Sequence, residues 1–425
     1  MRLAALLLAL AACLPLAHAN PANEHVAWSH NATIYEVNLR QYSQQGTIKA
    51  FAADLPRLKK MGVDIVWLMP VHPIGKKNRK GSLGSYYASA DYKAVNPAYG
   101  NMADLKALVK QAHGMGMKVM LDWVANHTAW DNPWVRQHPD WYKKNEKGEL
   151  YPVTYTNGPE PEYWTDVTGL DYNNKALWDG MIDAMAFWVK QADIDGFRCD
   201  AAGLLPTAFW NKARAELDKI KPVFLLAEWS TPELHEQAFD MTYGWDLTEL
   251  LTKIAKGQTD ANALRDWVRQ LPAPYPATAF RMRFTSNHDF NSWQGTDKEM
   301  YGPAYEAMAM LTFTLPGMPL IYNGQEARLE KRLAFFEKDP IPWKNYELQP
   351  FYTKLTQFKH ANPALAAGQY GGPVEVLDVG NDKVFAFRRQ LGRNVAQVTV
   401  NLSNETQRYN GGELAPWGYR LMSDN

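Results

Sequence analysis

The segment "DGFRCDAAG", residues 195–203, places an arginine and an aspartate in a run that otherwise has the composition of a buried strand. A charged side chain without a partner in a protein interior is costly. Arg198 and Asp200 are two residues apart, so in a strand they lie on the same face and can pair. We therefore expect a strand whose last residues leave the core and enter a functional site.

Apolar runs of this kind alternate along the chain with longer amphipathic stretches. Strands that are apolar throughout are typical of parallel sheets buried on both faces. Eight strand and helix units predict an α/β protein with a closed (β/α)8 TIM barrel. An open doubly wound sheet is the alternative, although no Gly-rich phosphate loop follows any strand. The predicted strands are 33–39, 63–70, 118–124, 195–201, 222–229, 240–245, 280–287 and 319–325, and the predicted helices are 50–62, 101–116, 176–192 and 206–220.

Two segments interrupt this repeat. Residues 128–174 are far too long for an ordinary loop after the third strand, and they predict a short excursion domain beside the barrel. From residue 366 to 425, short alternating runs with turn signals predict a C-terminal antiparallel β-sandwich. The barrel itself is then expected in two parts, 20–127 and 175–365.

The chain begins with "MRLAALLLALAACLPLAHAN", a basic residue followed by a short apolar run and a small-residue triplet ending at Ala19. This pattern predicts a signal peptide over 1–19 and an exported, periplasmic or extracellular protein. The run before Cys13 also resembles a bacterial lipoprotein box, so a lipid anchor at Cys13 is a second possibility. No other segment is apolar enough to predict a transmembrane helix. With Cys13 and Cys199 as the only cysteines, no disulfide framework is expected.

The net charge and the aromatic content of the chain limit the classes of ligand that it can be expected to bind. The chain has 45 basic and 45 acidic residues, so no excess positive charge indicates a nucleic acid or an anionic membrane as partner. Aromatic residues make up 12% of the chain, including 16 Trp, which suits stacking on flat apolar faces such as sugar rings. Four tryptophans of the excursion segment either line sugar sites or pack that small domain: Trp130, Trp134, Trp141 and Trp164.

Polar residues concentrate where the predicted strands end, which is where TIM barrels carry their catalytic groups. Two carboxylates in different environments facing one cleft can cut a glycosidic bond. Neighbouring strands lie about 5 Å apart, so carboxylates on the fourth and fifth strands favour the retaining mechanism. These strand-end residues are Asp122, Asn126 and His127 on the third strand, Arg198 and Asp200 on the fourth, Glu228 on the fifth, and Asn287, His288 and Asp289 on the seventh.

The carboxylates can be given separate roles. Arg198 should keep Asp200 ionised, as a carboxylate nucleophile requires. Glu228 follows the apolar run "VFLLA", so its pKa should be raised, which suits a general acid. Asp289 would stabilise the positively charged transition state.

The segments "LDWVANH", "GFRCDAA", "LLAEWS" and "FTSNHDF" resemble, in order, the four signature segments of the α-amylase family of glycoside hydrolases. The resemblance implies hydrolysis of α-1,4-glucosidic bonds in starch, glycogen or maltooligosaccharides through a covalent glycosyl-enzyme. A transferase or isomerase acting on short α-glucosides would share every one of these residues. A non-catalytic glucan-binding protein on the same fold is the alternative outside the enzymes.

The same resemblance implies Asp200 as nucleophile, Glu228 as acid and base, and Asp289 as transition-state stabiliser. The positions that hold the sugar beside the scissile bond correspond to Tyr87, His127, Arg198 and His288. Tyr86 is an alternative to Tyr87 as the stacking residue, and Asp122 matches a position that braces the end of the barrel.

Asn126 and Asp171 match positions that in many members bind a structural calcium, which the chemistry itself does not require. Two oxygen ligands are far fewer than the six to eight that calcium takes. Gly203 and Leu204 stand where many amylases carry a Lys-His pair that contacts the leaving-group side and contributes a calcium ligand. The side-chain contacts of that pair are therefore missing from this chain.

Overall fold

A computed structural model describes residues 25–156 and 160–424 of this 425-residue chain. Within those ranges eight parallel strands close into a barrel, in which each strand pairs with the next along the chain and the last pairs with the first. The predicted TIM barrel is confirmed. The predicted signal peptide and Cys13 lie outside the described residues. The barrel strands are β1 (Ile34–Val37), β2 (Ile65–Leu68), β3 (Lys118–Trp123), β4 (Gly196–Cys199), β5 (Phe224–Ala227), β6 (Met241–Tyr243), β7 (Phe280–Arg283) and β8 (Met318–Tyr322).

The strands are apolar throughout because both of their faces are buried. In β2, Ile65 and Trp67 belong to the cluster that fills the barrel, together with Met120 of β3. Val66 and Leu68 point the other way, into the layer between strands and helices. This alternation buries every residue of β2 and leaves side chains at the strand ends as the ones that reach solvent.

Helices surround the barrel, and several of them begin at a residue whose side chain caps the first turn. Asn101 and Asp104 form a capping box at the first turn of Met102–Gly114. The predicted helix 50–62 is two helices, because Pro56 starts a new first turn, where its missing N–H is tolerated. The α-helices are Leu39–Tyr42, Ile48–Ala52, Leu55–Met61, Met102–Gly114, Trp134–Gln137, Lys175–Ala192, Thr207–Asp218, Trp245–Ala255, Ala261–Arg269, Asp297–Tyr301, Tyr305–Thr314 and Gln349–Ala361.

Two antiparallel units accompany the barrel. After β3, strand Glu162–Gly169 pairs with His127–Ala129 on one side and Pro152–Tyr155 on the other. Beyond the barrel, four strands form an antiparallel sheet and two more form a hairpin. The domain limits given above stay predictions. The C-terminal strands are Val374–Leu377, Val384–Leu391, Asn394–Asn401 and Tyr419–Asp424, with the hairpin Gln407–Tyr409 and Gly412–Leu414.

Across residues 25–156 and 160–424, none of the helices has the length and apolar character needed to cross a membrane.

Candidate active site

Arg198 is fully buried and is compensated by three carboxylates. Its Nη1 donates to Oδ1 of Asp122 at 2.8 Å and to Oδ1 of Asp200 at 2.9 Å. Its Nη2 lies 2.8 Å from Oε1 of Glu228; the two groups form an ion pair, but their angle does not make a hydrogen bond. Nε donates to the Tyr243 hydroxyl at 3.2 Å. The two terminal nitrogens of the guanidinium therefore hold the carboxyl groups of Asp200 and Glu228 beside each other.

The backbone around β4 and β5 positions these two carboxylates. The amide of Asp200 donates to Trp123 on β3, and the amide of Glu228 donates to Cys199 on β4. Ala201 has a φ of 46°, in the left-handed region that non-glycine residues rarely adopt. Its N–H donates to Oε2 of Glu228 at 2.8 Å. A strained residue thus aims a backbone donor at the candidate acid, as strain at functional sites often does.

Burial and shared charge raise the pKa values of the carboxylates around Arg198. Burial is the largest cause at Asp200 and outweighs Arg198, so its pKa rises to about 6. The same balance, with repulsion from Asp200, raises the pKa of Glu228 to about 7. The raised pKa predicted for Glu228 is present. Arg198 lowers the pKa of Asp200 as expected, but desolvation outweighs it, so Asp200 is ionised only above about pH 6.

Asp289 and His288 form a separate charge pair. Nε2 of His288 lies 3.3 Å from Oδ2 of Asp289, and its Nδ1 lies 2.5 Å from Oε1 of Glu36. Burial alone would lower the pKa of His288, but Asp289 and Glu36 raise it well above its usual value. Burial would raise the pKa of Asp289, but His288 outweighs it and the net shift is downward. Asp289 is therefore a carboxylate while Glu228 is poised to hold a proton.

Tyr87, not Tyr86, faces this site. The Tyr87 hydroxyl donates to Oδ2 of Asp122 at 3.2 Å and lies 2.7 Å from Nε2 of His288. Its ring stacks against the His288 ring at 5.5 Å between centroids. Tyr86 is buried, with the Arg40 guanidinium 4.0 Å from its ring centre. Tyr86 therefore supports the wall, and Tyr87 belongs to the site.

Two cavities meet at the carboxylates. The first, of about 500 Å³, is lined by Tyr87, His127, Asp200, Glu228, His288 and Asp289. The second, of about 950 Å³, shares Trp164, Ala201 and Glu228 with the first and continues past the end of β5. Burial lowers the pKa of His127 to about 4, so it faces the first cavity as a neutral imidazole. Glu228 lines both cavities, whereas Asp200 and Asp289 line only the first, so a bond spanning the two cavities would pass beside Glu228.

The tryptophans of the excursion segment divide between the two expected uses. Trp164 lines both cavities. Trp134 and Trp141 pack edge to face at 5.0 Å, so they stabilise the segment itself. Trp130 donates to the Thr165 carbonyl and lines neither cavity.

Several residues of the site were not anticipated from the sequence, among them Glu36, Trp293 and Phe335. Glu36 lies inside the apolar run "TIYEVNL". A charged residue within an apolar run is the signal that indicated Arg198, and the same signal identifies Glu36. Trp293 and Phe335 line the first cavity from loops after β7 and β8. No spacing rule connects those two loops to the carboxylates.

Asn126 and Asp171, the two residues predicted to bind calcium, make protein contacts with their neighbours along the chain. Oδ1 of Asp171 accepts two hydrogen bonds from Asn173, and the Asn126 amide nitrogen lies 3.1 Å from Nδ1 of His127. Among the residues described, no three His, Cys, Asp or Glu side chains cluster as a metal site. Calcium binding at Asn126 and Asp171 stays a prediction, and no step of the chemistry below uses a metal ion.

The chain matches the model of the α-amylase catalytic domain over residues 27–347. It is 30% identical over 399 residues to α-amylase MalA of Haloarcula japonica, covering 89% of this chain and 56% of MalA. It is 26% identical over 410 residues to the α-1,4-glucan:maltose-1-phosphate maltosyltransferase of Rhodospirillum rubrum, covering 87% of this chain and 57% of that enzyme. The chain thus spans little more than half the length of these curated relatives.

Solved structures align over a larger share of both partners. An α-amylase from Lactobacillus plantarum superposes with a TM-score of 0.83 at 31% identity, covering 94% of this chain and 100% of that one. The maltogenic α-amylase AmyB from Thermotoga neapolitana superposes with a TM-score of 0.79 at 30% identity, covering 93% and 96%.

Proposed function

Because this chain belongs to the α-amylase family of glycoside hydrolases, we propose that it is a retaining enzyme that cleaves α-1,4-glucosidic bonds in starch, glycogen or maltooligosaccharides. The observation that carries the proposal is that Asp200 and Glu228 each contact one of the two terminal nitrogens, Nη1 and Nη2, of the Arg198 guanidinium. Carboxyl groups that share a guanidinium are neighbours, and retaining enzymes need a separation of only about 5 Å.

In the first step, Asp200 attacks the anomeric carbon of the sugar in the first cavity. The glycosidic C–O bond breaks as the ester bond to Asp200 forms, and Glu228 transfers its proton to the leaving oxygen. The ionised Asp289 stabilises the positive charge that develops on the ring, because it lies in the same cavity and His288 keeps it ionised.

In the second step, Glu228, now a carboxylate, takes a proton from an incoming water. The water oxygen attacks the anomeric carbon, the ester bond to Asp200 breaks, and the product keeps its α configuration. Tyr87, His127, Arg198 and His288 are proposed to orient the sugar or the carboxylates around it.

Transfer to a second sugar is the alternative outcome of the same intermediate. Its support is that several curated relatives are named as maltosyltransferases, the R. rubrum enzyme among them. A sugar hydroxyl would replace water in the second step, and Glu228 would serve it in the same way. A non-catalytic glucan-binding role would not require the raised pKa of Glu228 or the lowered pKa of Asp289.

The test is product analysis, by NMR and chromatography, with soluble starch, maltotriose and pullulan. We expect α-configured maltooligosaccharides to appear first, and Asp200→Asn to release none. Equal activity of Asp200→Asn would contradict the assignment of the nucleophile. Binding of starch without any product would favour the non-catalytic role.

Export through residues 1–19 is a further proposal, with a lipid on Cys13 as its alternative. The intact mass of the protein recovered from its native cell distinguishes cleavage after Ala19 from acylation at Cys13.

A further inference from the structure

We propose that a third cavity, of about 570 Å³ between β7 and the C-terminal sheet, binds a small organic anion that carries one carboxylate or phosphate group on a flat apolar body. This inference is independent of the proposed function, because Asp200, Glu228 and Asp289 do not line the third cavity. It concerns two arginines and a proline-rich segment that the proposed chemistry does not use.

The third cavity lies against a strand of unusual composition. Phe280 and Met282 of β7 belong to the cluster that fills the barrel, so Arg281 and Arg283 point outward into the layer between strands and helices. The outward residues of β2 are apolar. Both arginines are almost completely buried, and burial of a charge is costly unless it is compensated.

The backbone around Arg283 is shaped to hold its side chain. A Cβ atom at Gly244 or Gly317 would overlap that side chain, and Gly317 has a φ of 138°, which favours glycine. Nε of Arg283 donates to the Pro316 carbonyl at 2.9 Å, and the Trp267 ring centre lies 4.9 Å from the guanidinium carbon. Among the described residues, none accepts a hydrogen bond from Nη2 of Arg283, so this nitrogen can bind a ligand.

Positive charge is in excess at the third cavity. Asp246 accepts from Nη1 of Arg283 at 3.2 Å and from Nη2 of Arg281 at 3.4 Å. It is the one acidic side chain among the described residues that line the cavity. Arg389 also lines the cavity, and its hydrogen bonds go to backbone carbonyls. Three guanidinium groups therefore share one carboxylate, which leaves two positive charges without a counterion.

The rest of the lining suits an apolar body. The segment "LPAPYPA", residues 271–277, forms part of the wall together with Trp267. The Tyr275 ring centre lies 3.9 Å from the guanidinium carbon of Arg281. A guanidinium matches the paired oxygens of a carboxylate or phosphate, and proline and indole surfaces pack against flat apolar groups. Such a combination of apolar walls with a few convergent polar groups is typical of small-molecule sites. An uncharged sugar would leave the excess charge uncompensated.

The experiment is isothermal titration calorimetry of the full-length protein with benzoate, phenyl phosphate and uncharged benzyl alcohol, at low ionic strength. We expect both anions to bind with one-to-one stoichiometry and benzyl alcohol to show no binding. The tighter of the two anions identifies the anionic group that the site prefers.

Three variants place the binding in the third cavity. Asp246→Asn removes the competing negative charge and should tighten binding of both anions on the order of fivefold. Arg281→Met should weaken binding on the order of tenfold. Arg269→Ala removes an exposed arginine that does not line the cavity and should leave both affinities at the wild-type value.

Four outcomes would overturn the inference. They are the absence of anion binding by the wild-type protein, equal binding of benzyl alcohol, an unchanged affinity in a folded Arg281→Met protein, and weaker or unchanged binding in a folded Asp246→Asn protein. A purely structural role for Asp246 would not predict tighter binding when its charge is removed.

Discussion

Arg198 is the positive charge that the carboxyl groups around it share. One buried guanidinium faces the carboxyl groups of Asp122, which is fully buried, and of Asp200 and Glu228, which are mostly buried. A single positive charge cannot compensate three negative ones in a medium of low dielectric, so protons are retained to higher pH than on exposed acids. The group with the highest pKa is Glu228, the one that the proposed chemistry needs in its protonated form.

The pH dependence of kcat/KM follows from these pKa values. Activity on maltotriose should fall below about pH 6 as Asp200 becomes protonated, and above about pH 7 as Glu228 loses its proton. Because Asp200 and Glu228 both contact Arg198, their titrations are coupled, and the apparent pKa values of the two limbs describe the pair and not one residue each. A narrow bell with its maximum between the two values is expected in a kcat/KM profile.

Maltosyl fluoride is the control for the basic limb, because fluoride leaves without a proton. The limb above pH 7 should be absent with that substrate. A limb of equal steepness with both substrates would mean that Glu228 is not the acid.

Glu36 is predicted to act on activity through His288. In Glu36→Gln the imidazole loses the carboxylate at its Nδ1, so the pKa of His288 falls and Asp289 loses part of its neutralising charge. We expect kcat/KM to decrease on the order of tenfold, and to decrease more at high pH, where the imidazole becomes neutral. The measurement is a pH profile of the variant beside Glu36→Asp, which keeps the charge. A loss independent of pH would indicate a purely structural role for Glu36.

Under the proposed function, the loops that follow the strands determine which sugars reach the carboxylates. The loop after β2 crosses to the excursion sheet, where Nζ of Lys80 lies 3.3 Å from Oδ1 of Asp166. Both residues line the first cavity, and neither lines the second. This ion pair joins the loop after β2 to the excursion sheet at the wall of the first cavity. Under the proposed function, we expect it to limit how far a sugar chain extends from the first cavity away from the leaving group, a side called here the donor end.

Removing the ion pair should lengthen the products. Lys80→Ala is expected to open the donor end, so that longer maltooligosaccharides are released from soluble starch in early samples. Chromatography of these samples measures the effect. Lys77→Ala removes an exposed lysine of the same loop and is the matched control. An unchanged distribution for Lys80→Ala would show that the pair does not limit the donor side.

Arg389 connects the C-terminal sheet to the barrel, because its Nη1 donates to the carbonyl of Thr314, in the helix before β8, at 3.4 Å. Its Nε donates to the Gly372 carbonyl at 2.9 Å, and Nη2 donates to the Ala366 carbonyl at 2.8 Å. Burial lowers the pKa of Arg389 to about 9. Arg389→Ala leaves these buried acceptors unpaired, so the free energy of unfolding should fall by about 3 kcal/mol.

Chemical denaturation measures that change, and the neighbouring Arg388 provides the control. Arg388 is paired with Glu375 at the surface, so Arg388→Ala should cost less than about 1 kcal/mol. Similar losses in the two variants would contradict a tethering role for Arg389.

At the scale of the whole molecule, the barrel and the excursion sheet are joined by protein hydrogen bonds at the place where a calcium was considered. The Leu170 amide donates to the Asn126 carbonyl, and the Tyr172 hydroxyl donates to the Ala125 carbonyl at 2.8 Å. A chelator such as EDTA should therefore change neither Tm nor kcat/KM. A drop in Tm that added calcium reverses would show that a metal joins the two units after all.

The barrel followed from the sequence because its strands have a simple physical requirement. A strand buried on both faces must be apolar along its whole length, and runs such as β2 carry that requirement in four consecutive letters. The polar residues that end β4 and β5 were visible for the same reason, since Arg198 and Glu228 interrupt or follow apolar runs. Local composition therefore determined the fold and most of the catalytic candidates.

Tertiary structure alone decided how those residues interact. That Arg198 binds three carboxylates, and that desolvation outweighs it at Asp200, depends on distances and burial that no spacing along the chain encodes. The same holds for the ring of Trp229 over Gly203, which joins residues 26 positions apart. Spacing specifies the backbone period, whereas charge balance and ring stacking arise only when separate strands and loops converge at one end of the barrel.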